Sequence, residues 1–111
     1  MLKSQEIRKI APEMDPLRHG AGWQLADLAK PQIIIESSFG DSHPGSAHLM
    51  DFVEKSRTGI QKAGGFGARY FCTDICDGQA QGHDGINYSL PSRDMMANMI
   101  EIHANATPFD G

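Results

Sequence analysis

Three consecutive isoleucines, Ile33-Ile34-Ile35 within PQIIIESS, constrain this chain more than any other feature. A short apolar run without alternation is the pattern of a strand buried on both faces, and such strands belong to parallel sheets covered by helices. Downstream, Leu49, Phe52, Val53, Ser56 and Ile60 fall at i, i+3, i+4, i+7 and i+11, one stripe of a helix. Ser46 reads as the N-cap of that helix and Gly64-Gly65 as its stop. ARYFCTDI (68–75) is the second strand candidate. Strand, loop, helix, strand, loop, helix is an α/β order, and it predicts a parallel sheet built from strand-loop-helix units.

The flanks are less regular. Residues 2–10 read as a short helix with Leu2, Ile7 and Ile10 as its apolar positions. APEMDPLRHGAGW, with two prolines and two glycines, reads as an irregular excursion, and Trp23 to Leu28 as a turn or two of helix. Near the end, Pro91 suits a first helical turn, with Asp94 close to the positive end of the dipole. Met96, Met99, Ile100 and His103 then mark the packed side of a helix running to about Ala104. These readings divide the chain into an N-terminal helix and arm (1–30) and the first part of an α/β domain (31–111). Two strands do not make a stable sheet alone, so the expected unit is incomplete: the front piece of a longer protein or one completed by partner chains. The closing Pro-Phe-Asp-Gly, after a helix with no following strand, favours the first option.

Charge and composition remove several classes of function. Ten basic against fourteen acidic residues leave a net charge of −4, with the cations dispersed. That argues against a nucleic-acid module, whose affinity rests on clustered Lys and Arg. No apolar run approaches the roughly 20 residues of a membrane span, and MLKSQEIRKI lacks a secretory apolar core, so a cytoplasmic location is expected. Cys72 and Cys76 form no disulfide framework. On an extended segment they lie about 13 Å apart, too far to bridge or to share one metal, though a tight turn would change this.

Chemistry in open α/β sheets gathers beyond the carboxyl ends of the strands. The loops 36–46 and 74–89 both lie there, each leading towards a helix N-terminus. Asp77 and Asp84 each precede a glycine, so each is either a turn residue or a hard-oxygen ligand for a cation such as Mg²⁺. Cys76 is a packed thiol or a soft-metal ligand. His43, His48 and His83 are possible acid–base groups or ligands, but their spacing matches no zinc pattern. The glycines of 64–85 match neither phosphate-loop fingerprint. Residue patterns alone therefore reach a metal- or anion-binding α/β domain.

The stretch CDGQAQGHDGINYSLPSRD (76–94), followed by MMANMIE, closely resembles the N-terminal signature of the dihydroxy-acid dehydratase / phosphogluconate dehydratase family. The signature's general form is (S/C)-D-G, then G-x-x-G-(M/I)-x-Y-S-L-P-S-R-(E/D). The resemblance runs from about Pro31 to Gly111 and includes PGSAHL, QKAGG and ATPFDG. It implies a hydro-lyase that removes water from a 2,3-dihydroxy carboxylic acid to give a 2-keto acid, in branched-chain amino acid biosynthesis or sugar acid metabolism. It also implies an iron–sulfur cluster, Mg²⁺, a small dihydroxy acid as substrate, and a homodimer for the full-length protein. By motif position, Asp77 matches the family's Mg²⁺-ligating aspartate. Gly45, in Pro44-Gly45-Ser46-Ala47-His48-Leu49, stands where a P-C-N-x-H-L pattern would place the first cluster cysteine. Cys76, Asp41 and His43 are then the substitute cluster candidates, and Ser46, His48 and His83 the candidates for touching substrate. The family's other cluster cysteines and its catalytic serine fall outside these residues, so a piece inactive alone is expected. Two other readings stand beside it: a non-catalytic binding domain with a decayed dehydratase fold, and a divalent-metal hydrolase using Asp77 and Asp84.

Overall fold

A computed structural model describes residues 1–111. Helices α1 (Lys3–Ile10) and α2 (Met14–Gly20) lead through a 3-10 turn (Leu25–Asp27) into β1 (Gln32–Ser37). A short α3 (Pro44–Ala47) and α4 (Leu49–Lys62) then lead to β2 (Phe66–Phe71). A one-turn α5 (Asp77–Ala80) and the long α6 (Ile86–Ala106) complete the chain. The strands pair in parallel with Gln32 opposite Phe66 and Ser37 opposite Phe71, as the α/β reading requires.

Alternation along the paired strands divides the side chains between two faces. One face carries Ile33, Ile35 and Gly67 and lies under α4. A methyl on Gly67 would sit 3.0 Å from Ile35 Cδ1 and 3.3 Å from Ile60 Cδ1, so only glycine lets the helix pack this close. The opposite face carries Glu36, Phe66 and Tyr70. There Trp23 stacks on Phe66 with centroids 4.1 Å apart, Arg18 covers Trp23 at 4.7 Å, and Tyr70 meets His103 and Phe109 at 4.7 and 5.6 Å.

The C-terminal tail occupies the other edge of β1. Asp110 N–H donates to Gln32 O (2.7 Å) and Ile34 N–H to Gly111 O (2.9 Å), so the tail begins a third row beside β1. The Asp110 carboxylate accepts from Ser4 N–H (2.9 Å), Ser4 Oγ (2.6 Å) and Gln32 N–H (2.8 Å), clasping α1 to the sheet. Desolvation raises its pKa, but these donors and the Arg18 charge outweigh it and leave the carboxyl below the ordinary range.

The apolar core is small. Leu28, Val53, Ala68 and Phe109 are its only buried hydrophobic side chains, whereas the most completely buried side chains are Gln32, Ser4, Ser46 and Ser89. The radius of gyration, 16.7 Å, exceeds the roughly 13 Å of a compact domain this size. Polar clasps rather than a closed core connect much of this chain.

Several expected boundaries shift. β2 spans 66–71 rather than 68–75, because pairing starts where Phe66 N–H meets Pro31 O and ends as β1 runs out at Ser37. Residues 14–20 are helical; Pro16 is tolerated because first-turn N–H groups have no intrahelical acceptor. Ser46 lies inside α3, a separate turn capped by His43, whose Nδ1 accepts the Gly45 N–H at 2.9 Å, and α4 itself starts after His48 without a side-chain cap. α6 starts five residues before Pro91, which therefore sits inside the helix, and Asp94 lies beyond its first turn. Met99 and Ile100 are exposed, and Met96 is half-buried, so the expected packed side of α6 is largely open. In α1 the buried residue is Ser4, drawn in by Asp110, while Ile10 is 78% exposed.

Candidate active site at the carboxyl ends of the strands

Two polar loops meet beyond the ends of β1 and β2, and each is organised by one aspartate. Asp74, just past β2, stitches the first loop to the second. Its Oδ2 accepts from Ser42 N–H (2.7 Å) and Ser46 Oγ (2.9 Å), and its backbone carbonyl accepts from Ser42 Oγ (2.9 Å). His43 Nε2 faces Oδ1 at 3.9 Å. Because His43 Nδ1 accepts the Gly45 N–H, the neutral ring carries its proton on Nε2, towards Asp74. A methyl on Gly40 would lie 2.6 Å from Asp74 Cβ, so glycine is needed for the approach. The Asp74 side chain is 8% exposed. Desolvation raises its pKa, but the Ser42 N–H and the Ser46 and Ser42 hydroxyls, with His43, outweigh it and hold the carboxyl below its ordinary value.

Asp77, in the first turn of α5, is differently placed. Its Oδ1 accepts from the Ser89 hydroxyl and from Arg93 Nη2 (3.0 Å), both on α6. The side chain is 53% exposed, and no hydrogen bond reaches Oδ2. Ser89 is buried, and Arg93 also donates to Ile75 O (3.0 Å) and Ser92 Oγ (3.1 Å). The latter half of the signature therefore folds back on its beginning: SLPSR places Ser89, Ser92 and Arg93 on one side of α6, facing Asp77.

The remaining candidates are held mainly by backbone. Cys76 precedes α5 and is half-buried; Cys72 is also half-buried, and both thiols are free. Burial and then the nearby Glu36 charge raise the Cys72 thiol pKa. Ser46 is buried and donates to Asp74 and to His43 O. His48 Nδ1 contacts Pro44 O at 2.9 Å, and the ring meets Phe52 edge-on. His83 Nδ1 accepts the Gly85 N–H (3.0 Å) while Nε2 reaches Gln79 O (2.7 Å), which occupies both ring nitrogens. Asp41 and Asp84 are exposed. The structure thus brings Asp77 together with Ser89 and Arg93, and Ser46 and His43 with Asp74. It does not gather three or more His, Cys, Asp or Glu side chains into a metal-binding group. Asp74, Ser89 and Arg93 were absent from the sequence candidates; the Ser and Arg of the signature itself were the available signal.

Comparison with known proteins decides the lineage. The N-terminal model of dihydroxy-acid/6-phosphogluconate dehydratases matches residues 30–111. The chain belongs to this family. Dihydroxy-acid dehydratase of Methanosarcina barkeri is 38% identical over 109 residues, covering 96% of this chain and 20% of that protein. Dihydroxy-acid dehydratase of Dehalococcoides mccartyi strain CBDB1 is 40% identical over 113 aligned residues, covering 99% and 20%. The Pyrococcus abyssi dihydroxy-acid dehydratase is 44% identical over 85 residues, covering 77% and 15%. This dehydratase-family chain thus spans about a fifth of the length of its first two relatives. No helix in it is long and apolar enough to cross a membrane.

Proposed function

We propose that this chain supplies the first metal-binding loop of a hydro-lyase converting a 2,3-dihydroxy carboxylic acid into a 2-keto acid. The observation that carries the reading is Asp77: at the family's aspartate position, half-exposed, with one carboxylate oxygen committed to α6 and the other free. Removal of water from such a substrate takes a proton from C2 and hydroxide from C3, and the resulting enol rearranges to the ketone. Hydroxide leaves poorly, so a cation that stabilises developing negative charge on oxygen lowers the barrier.

The two cofactors implied for the family fit this chain unequally. Mg²⁺ suits Asp77: a hard cation takes carboxylate oxygen, keeps several waters, and needs an accessible lone pair, which Oδ2 has. Bound there, Mg²⁺ would supply Lewis acidity on the carboxylate side of the substrate. Asp77 then acts as one anionic ligand, and α6 fixes the direction in which it points. An iron–sulfur cluster is held by several thiolates. Gly45 contributes no side chain, and the His43 ring lies 2.5 Å from where its Cβ would be. Cys76 is the sole thiol at a signature position, so these residues alone do not make a cluster cradle.

The test uses the native polypeptide that carries this sequence. With a 2,3-dihydroxy acid and Mg²⁺, 2-keto acid should accumulate, trapped as its hydrazone. Asp77→Asn should weaken Mg²⁺ binding by 10-fold or more and lower turnover with it. Unchanged Mg²⁺ dependence in that variant removes Asp77 from the site.

A further inference from the structure

The hydrogen bonds around Asp77 reach beyond the ligand itself. Both donors converge on Oδ1, and they come from opposite kinds of environment. Ser89 is 1% exposed, its hydroxyl turned inward from the second turn of α6. Arg93 is half-exposed, yet its guanidinium is anchored at three points: Ile75 O in the loop after β2, Ser92 Oγ, and Asp77 Oδ1. Ser92 in turn donates to Ser89 O, which ties the two donors to each other through the helix. A cation merely filling a vacant metal position would have the carboxylate as its main partner. Here the Ile75 loop carbonyl and the Ser92 hydroxyl fix the guanidinium whether or not Asp77 is present.

We propose that Ser89 and Arg93 are positioning residues that lock Oδ1 of Asp77 and so present Oδ2 as a single, pre-aimed ligand for a divalent cation. This rests on the reading of Asp77 as a metal ligand. The physical case is that an unrestrained carboxylate rotates and must be ordered when metal binds, at an entropic cost; two donors on one oxygen remove that freedom beforehand. They also fix a one-oxygen mode, because Oδ1 is already occupied. Arginine suits the task better than lysine, since its planar fork spans the carbonyl and the carboxylate together.

The experiment measures Mn²⁺ binding by electron paramagnetic resonance, in the native polypeptide, with Mn²⁺ standing in for Mg²⁺. The variants are Arg93→Gln, Ser89→Ala, Asp77→Asn and the double variant Asp77→Asn/Arg93→Gln. Arg93→Gln and Ser89→Ala should each weaken Mn²⁺ binding about 10- to 100-fold, the range typical of partners that orient a ligand. In the Asp77→Asn background, Arg93→Gln should have no further effect, because its influence passes through the carboxylate. Equal loss in both backgrounds would mean Arg93 acts only on general structure, and would overturn the proposal. Tighter Mn²⁺ binding in Arg93→Gln would show the guanidinium competing with the cation, and would overturn it equally. If Asp77→Asn itself leaves Mn²⁺ binding intact, the reading of Asp77 fails first, which separates the two failures. Should Ser89→Ala unfold, half-exposed Arg93→Gln still decides the matter.

Discussion

Asp74 and Asp77 lie three residues apart, both beyond the end of β2, and the fold uses them in opposite ways. Asp74 is enclosed: backbone and hydroxyl donors from the first loop saturate one oxygen, and His43 faces the other. Asp77 is half-open, with both of its donors on one oxygen. An enclosed carboxylate whose partners are all protein groups is a fastener. A tethered carboxylate with a free oxygen is what the proposed ligand role requires. Each aspartate sits near a His-x-Gly turn in which the imidazole accepts the glycine N–H, at 43–45 and 83–85, so the loops share local construction. The contrast arises from where the donors come from, not from the turns.

That contrast can be broken by substitution. Asp74→Ala should have the largest effect, because it strands the Ser42 N–H and Ser46 hydroxyl and lets the two loops separate. A fall in Tm on the order of 10 °C is expected by calorimetry. Asp77→Ala should lower Tm less, by about 6 °C, since it gives up a half-exposed ion pair that contributes little and strands only the Ser89 hydroxyl. Equal losses would erase the distinction between fastener and ligand.

Acid should probe the same fasteners. Asp74 and Asp110 both have native pKa values below 3.8, so the native state favours their charged forms more than the unfolded chain does. Their contribution is complete well above pH 3.8 and is lost as pH falls through the depressed native values. A Tm-against-pH curve should therefore drop below about pH 4, and Asp110→Asn should flatten part of that drop. A curve that stays level to pH 2 would contradict the assignment.

The smallest effect concerns the glycine at the expected cysteine position. A side chain at Gly45 meets the His43 ring at 2.5 Å, so Gly45→Ala must displace the imidazole from its cap. A cost of about 1 kcal/mol is expected from chemical denaturation. The mirror replacement Gly85→Ala, with His83 at 2.4 Å, should cost about the same. A much larger loss at Gly45 would show that the His43–Asp74 contact adds to the cap.

What was legible in the sequence follows the range of the interaction. The isoleucine run and the stripe of α4 announce themselves locally, and both elements form where expected, although Ile33, Ile34 and Ile35 are half-buried rather than covered on both faces. Asp77 was legible through a motif. Asp74 was not, because its donors lie 28 and 32 residues away and nothing local distinguishes it from other loop aspartates. Arg93 and Ser89 sit inside the motif, yet their role appears only when α6 folds back over α5. Reading Pro91 as a helix start hid that geometry, because it left Ser89 outside the helix.

The clasp between Ser4 and Asp110 spans 106 residues of sequence. On a ribosome, α1 is made before Asp110, and in between its buried serine has no acceptor. At about 5–20 residues per second, the carboxylate that completes it is made roughly 5–20 s later. Throughout that interval α1 lacks its tether to the C-terminal tail, and only Gln5 and Arg8, on the Leu28 and Lys30 carbonyls, can hold it beside the sheet.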